Sequence, residues 1–177
     1  MALKDLPIAL EMKDPIHGYI SVTEIERDII DLRLTQRLRY IRSPAGVNLV
    51  FPGADTSLMG RLLGVSFVTE IFLQNLGASL EEVIESRLAA IILMLAYGPW
   101  PNVMEEYFTV RGLGRKKIAE LIIKDSPVTD LIKDSSLSVN EATDMIQKGV
   151  NVKGLKVDLV NTPINPELVD NLERDSY

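Results

Sequence analysis

Apolar and polar positions divide the chain into a short extended opening and a long helical remainder. From Ile8 to Val22 the apolar residues come in small groups broken by Asp14-Pro15 and His17-Gly18, which predicts a small hairpin or a pair of extended segments. Thr23 is placed to cap a helix through Ile25, Ile29 and Ile30, and Thr35 to cap another that carries Leu38 and Ile41 and ends at Pro44. Val47 to Phe51 reads as a brief extended stretch before the turn Pro52-Gly53. Asp55 then opens a segment in which Leu58, Leu62, Val65, Val68, Ile71 and Phe72 recur at three and four residues, an amphipathic helix closing at Gly77. Ser79 with Glu82 forms a capping box for the next helix, whose Val83, Leu88 and unbroken apolar run to Tyr97 predict burial on all sides at the centre of a bundle. Pro101, Ser126-Pro127, Ser138 with Glu141, and Asn165-Pro166 mark further helix starts, while Gly149 to Pro163 is the one long irregular or extended stretch.

Composition narrows the class. A chain of 177 residues, 46% hydrophobic, is long enough to bury a sizeable core as one domain, residues 1–177, and it contains no repeat, low-complexity tract or linker. Nineteen Lys and Arg against 25 Asp and Glu give a net charge of -6, which disfavours nucleic acid and anionic membranes as partners. The absence of Cys removes disulfides, thiolate nucleophiles and Cys-based metal sites. The longest apolar run, Leu88 to Tyr97, is about half of the roughly 20 residues needed to cross a bilayer, and the first ten residues lack a signal-peptide pattern. A cytoplasmic protein is the expectation. His17 is the single histidine, so chemistry that needs a histidine cluster is excluded.

An ordered series of motifs then adds a resemblance. Asp14-Pro15-Ile16-His17-Gly18, Gln36-Arg37-Leu38-Arg39 and Phe51-Pro52-Gly53-Ala54 are similar, in order and spacing, to the opening of the deoxynucleoside triphosphate triphosphohydrolase branch of the HD superfamily. Leu63-Gly64-Val65, Gly98-Pro99-Trp100, Gly112-Leu113-Gly114, Asp125-Ser126-Pro127 and Leu172 to Tyr177 continue the match along nearly the whole chain. The resemblance implies a mainly α, HD-domain-like helical bundle with a small N-terminal β-hairpin. It also implies a domain truncated relative to active relatives, which continue beyond the position of Tyr177.

The same resemblance implies which residues stand where the family binds its metal. Arg61 occupies the position of a ligand His, Leu93 and Met94 those of the His-Asp pair, and Glu167 that of the last Asp ligand. Tyr97, Asn102 and the Arg115-Lys116-Lys117 run stand at further active-site positions. Leu and Met cannot ligate a hard divalent ion, and an Arg repels one. The expectation is therefore no metal, no cofactor and no enzyme activity of the family type. Two arrangements are open for Arg61 and Glu167: an ion pair joining two helices where the metal would have joined them, or two solvated side chains. Arg61 with Arg115, Lys116 and Lys117 could bind phosphate, or the run could be a solvated helix start. Arg33, Arg37, Arg39 and Arg42 form a second basic cluster with an expected structural or interface role. His17 is expected as a turn or packing residue, and Trp100 as a packed one.

Two functions follow from these readings. The first is a catalytically inactive HD phosphohydrolase-like protein acting through protein contacts or self-association. The second is a sensor that binds a nucleotide or phosphate through the cationic residues without hydrolysing it.

Overall fold

The computed structural model describes residues 6–134, 137–159 and 162–176. Tyr177, which closes the last motif of the resemblance, and the side chain of Asn102 lie outside what is described.

Strands β1 (Ile8–Asp14) and β2 (Gly18–Thr23) pair antiparallel, with Met12 opposite Ile20 and Asp14 opposite Gly18. The turn is closed by the Asp14 carboxylate, whose Oδ1 accepts from the backbone N–H of Ile16 (2.9 Å) and His17 (3.0 Å). Thr23 and Glu26 complete a reciprocal capping box at the start of α1 (Glu24–Asp31). Thr35 does not cap a helix. It lies inside the short α2 (Arg33–Gln36), which continues as a 3-10 turn over Arg37–Tyr40, and its hydroxyl donates instead to the carbonyl of Ile29. Val47–Leu49 forms a second 3-10 turn, where an extended stretch was expected. The local i to i+3 bonds of that segment satisfy its backbone without a partner strand.

Helices α3 (Leu58–Asn75) and α4 (Leu80–Leu95) form the central pair. Ser57 rather than Asp55 caps α3, accepting from the N–H of Gly60 at 3.2 Å, and Asp55 pairs with Arg42. α3 is buried on most of its circumference rather than along one stripe, because α4, the hairpin and the last helix all pack on it. The expectation for α4 is met: from Ser86 to Leu95 every residue is buried. Around this pair lie α5 (Pro101–Val110), α6 (Arg115–Asp125), α7 (Val128–Lys133), α8 (Val139–Lys148) and α9 (Pro166–Asp175). Ser138 with Glu141 and Asn165 cap α8 and α9 as the sequence predicts, and Pro101 and Pro166 sit in first turns, where no N–H is needed.

Within Gly149 to Pro163 the structure contains a small hairpin, β3 (Val150–Val152) with β4 (Leu155–Val157). It turns on Lys153 and Gly154, both at positive φ (49° and 84°), the signature of a type I′ turn. Val150 and Val152 join Leu73 and Val83 in a satellite cluster beside the main core. No helix among the described residues is long and apolar enough to cross a membrane.

Candidate functional site

Four elements meet at one carboxylate. Glu167 sits in the first turn of α9, just after the Asn165 cap, and points toward α3. Arg61, one turn into α3 and 6% exposed, donates from Nη2 to Glu167 Oε1 at 3.0 Å and from Nη1 to the Ser43 hydroxyl. Tyr97, just past the end of α4, donates its hydroxyl to the same Oε1. Arg115, the first residue of α6, donates from Nη1 to Glu167 Oε2 at 2.6 Å and to the Tyr97 hydroxyl. Its guanidinium also lies 4.7 Å from the Tyr97 ring centroid, within cation–π range. Of the two arrangements left open by the sequence, the Arg61–Glu167 pair is the one formed.

Electrostatics keep the Glu167 carboxylate ionised. Burial pushes the Glu167 carboxyl upward, but the Arg115 charge, the Tyr97 hydrogen bond and the Arg61 charge together outweigh it and keep it below its ordinary value. Burial and the neighbouring Glu167 charge raise the Tyr97 phenol against the opposing Arg115, so it remains a donor. Glu105 approaches Arg115 Nε at 3.5 Å, which sets two carboxylates against two guanidiniums. Two carboxylates facing two guanidiniums leave the cluster close to neutral, although the Nε of Arg61 and of Arg115 is buried without a hydrogen-bond partner.

Leu93 and Met94 lie on the last turn of α4, 4% and 1% exposed, as part of the main core. Lys116 and Lys117 do not join Arg115. Successive helical residues point about 100° apart, and Lys116 reaches Asp158 (2.8 Å) and the carbonyl of Gln147 (3.1 Å), while Lys117 pairs with Glu120 (3.0 Å) along its own helix. Four residues that the sequence grouped as one anion site are thus divided between an internal cluster, Arg61 with Arg115, and two separate surface pairs. The second basic cluster is dispersed likewise. Arg37 donates to the carbonyl of Leu95 at 2.6 Å, Arg39 to Gln36 at 2.7 Å, and Arg42 pairs with Asp55.

Behind the cluster runs a second polar network that sequence reasoning missed. His17 Nε2 lies 2.7 Å from Asp170 Oδ1 and Nδ1 lies 3.3 Å from Glu173, with its ring tilted against Phe67. Arg174 bonds both oxygens of Asp170, then reaches Asp14 Oδ2 (3.0 Å) and the carbonyl of Gly60 (2.9 Å). Together they latch α9 to the first hairpin and to α3. Gly64 is required at this crossing, since a Cβ there would overlap the Asp170 carboxylate and the Arg174 guanidinium. The signal was present in Asp14, His17 and Arg174, which lie inside matched motifs, but a single sequence does not say that its two ends meet.

A cavity of about 290 Å³ opens beside the cluster, bordered by Ser43, Thr56, Arg61, Tyr97, Glu167 and Arg174 among others. Among the described residues no three His, Cys, Asp or Glu side chains converge so as to hold a metal ion. Trp100, expected to pack, is 60% exposed and adopts a left-handed backbone (φ 58°) between Pro99 and Pro101.

With this geometry in place, comparison with known proteins gives a consistent direction. No family model matches the chain. It is 26% identical to an uncharacterized protein of Methanocaldococcus jannaschii over 94% of this chain and 33% of that protein. It is 27% identical to the uncharacterized protein YwfO of Bacillus subtilis over 93% of this chain and 39% of that one. It is also 32% identical to the human deoxynucleoside triphosphate triphosphohydrolase SAMHD1, over 55% of this chain and 17% of the enzyme. In three dimensions it is similar to a crystal structure of a hypothetical protein from Aquifex aeolicus, with a TM-score of 0.76 at 26% identity over 95% of this chain and 46% of that one. The chain thus spans less than half the length of each of these relatives. These partial similarities and the helical fold support an HD-domain-like relation.

Proposed function

We propose that this chain is a catalytically inactive HD phosphohydrolase-like domain that acts through protein contacts. One observation carries the proposal: Glu167, at the position of the family's last ligand, is held by Arg61, Tyr97 and Arg115 rather than left open to a metal. The resemblance implies a divalent ion at this point, and the residues do not fit one. The donor set is a single carboxylate already occupied by three hydrogen bonds, two of them from guanidiniums whose charge would repel the ion. Leu93 and Met94 offer no oxygen or nitrogen donor. Internal hydrogen bonds and ion pairs instead join α3, α6, α9 and the end of α4, in place of a metal cross-link.

Deoxynucleoside triphosphates incubated with the chain and manganese, magnesium, iron or cobalt should show no release of phosphate or triphosphate above the blank. Turnover that rises with enzyme concentration and disappears in Glu167→Ala would contradict the proposal.

The sensor reading draws on the cavity of about 290 Å³ beside Arg61 and Arg174. Both guanidiniums are already paired with carboxylates, so an anion would compete with Glu167 and Asp170 for them. Calorimetry with nucleoside triphosphates and inorganic phosphate is expected to give no heat of binding, and a saturable heat lost in Arg61→Met would favour the sensor instead.

A further inference from the structure

Among the described residues, helix α5 leaves its outer face uncovered. Met104 and Phe108 turn inward to line a small gap against Arg115 and Ile118, while Val103, Tyr107 and Val110 stand 67%, 47% and 80% exposed. These three positions recur at four and three residues, the spacing of a heptad seam, and Trp100 adjoins them just before the helix. Trp100 lies over Gly46 and borders a cavity of about 350 Å³ with Tyr40 and Leu49. The apolar face therefore continues onto the neighbouring loop, where Tyr40, Leu49, Val50 and Phe51 are 86%, 83%, 72% and 64% exposed. Eight such side chains present on the order of 1,000 Å², more than the largest apolar patch of an ordinary monomer and comparable with one side of a standard protein interface.

Charge at the edge of the seam selects the occupant. Taking Tyr107 as an a position and Val103 and Val110 as d positions puts Glu106 at g and Arg111, the residue that closes the helix, at e. These two residues stand five positions apart, the pairing that links g of one helix to e of a parallel partner. Arg111 is held at the seam by its guanidinium, which stacks 3.6 Å from the Tyr107 ring centroid. A two-fold axis running along paired α5 helices would make each Glu106–Arg111 contact twice, from one self-complementary surface.

We infer that this face is the interface with a second copy of the chain, built on a parallel α5 pair and extended by the Trp100 and Leu49 side chains. The inference rests on the reading that the chain works through protein contacts, and it names the partner. A ten-residue helix is too short to pair stably alone, so the loop patch supplies the remaining area.

Light scattering coupled to size exclusion should give twice the chain mass for the unmodified protein. Glu106→Arg and Arg111→Glu should each return it to the single-chain mass, and the double exchange E106R/R111E should restore the dimer. Val103→Asp should give a monomer with unchanged circular dichroism and melting cooperativity. A monomer at every concentration, a dimer indifferent to these substitutions, or a double exchange that stays monomeric would overturn the inference. A strict monomer with blank hydrolysis assays would remove the second copy while leaving the inactive domain standing. Metal-dependent turnover in an α5-dependent dimer would do the reverse.

Discussion

Two buried ionic clusters sit on the same helix pair and are built in opposite ways. At one, Arg87 in the middle of α4 holds two carboxylates, Glu26 from α1 at 2.8 Å and Glu70 from α3, and its third nitrogen donates to the Ser21 carbonyl at 2.6 Å. All three charged residues are essentially without solvent contact. At the other, one carboxylate holds two guanidiniums beside a cavity. The first uses one cation to tie the hairpin, α1 and α3 to α4. The second lies where the resemblance puts a metal, and there the polarity is reversed: the anion is at the centre and the cations surround it. Burial alone does not separate a structural ion cluster from a candidate functional site. Which charge is shared, and whether space adjoins it, does.

That contrast predicts unequal costs. Arg87→Met should be the most damaging single change, because it strands two buried carboxylates; a loss of about 3–5 kcal/mol is expected from urea midpoints at constant slope. Glu167→Gln should cost less, about 2–3 kcal/mol, since Arg61 keeps Ser43 and borders a cavity, and Arg115 keeps Glu105. Should E167Q prove as costly as R87M, the two clusters would be equivalent supports. A stabilising E167Q would mean that the two arginines repel less than the desolvated carboxylate costs.

The smallest effect is a pH dependence specific to Glu167. Its carboxyl is held below the ordinary value of 4.5, so its contribution is fully present above that value and is lost as pH falls through the lower folded value. The stability difference between the unmodified chain and E167Q should therefore be constant near neutral pH and shrink in acid below about 4.5. A difference that grows on acidification would reverse the assigned sign.

Much of this architecture was legible in the chain, and the reason is local. Capping boxes at Thr23, Ser79 and Ser138 and the Asn165 cap need only residues three positions apart, and all are formed. The burial of α4 followed from an apolar run too continuous for one face. The Arg61–Glu167 pair was legible because the resemblance placed both at one point, although they stand 106 residues apart. The two missing members were not. Arg115 read as one of three adjacent cations, and only the helical rotation between neighbours turns it inward while Lys116 and Lys117 go elsewhere. Tyr97 read as a replaced histidine, with nothing in sequence to show its hydroxyl between Arg115 and Glu167. The Arg87 cluster was missed outright, yet an Arg at the head of the apolar run from Leu88 and a Glu at position 70 among the apolar positions of α3 were the available signs. Trp100 was misplaced because a motif position was assumed to carry its packing with it, whereas the left-handed backbone between two prolines turns the indole outward.

The central claim is that Glu167 belongs to guanidiniums rather than to a metal. Crystals of the chain grown with manganese, measured for anomalous scattering, test it most directly. The predicted map shows no anomalous peak within bonding distance of Glu167, and both carboxylate oxygens bonded to Arg61, Tyr97 and Arg115. A peak coordinated by Glu167, with Arg61 or Arg115 swung away from it, would contradict the claim.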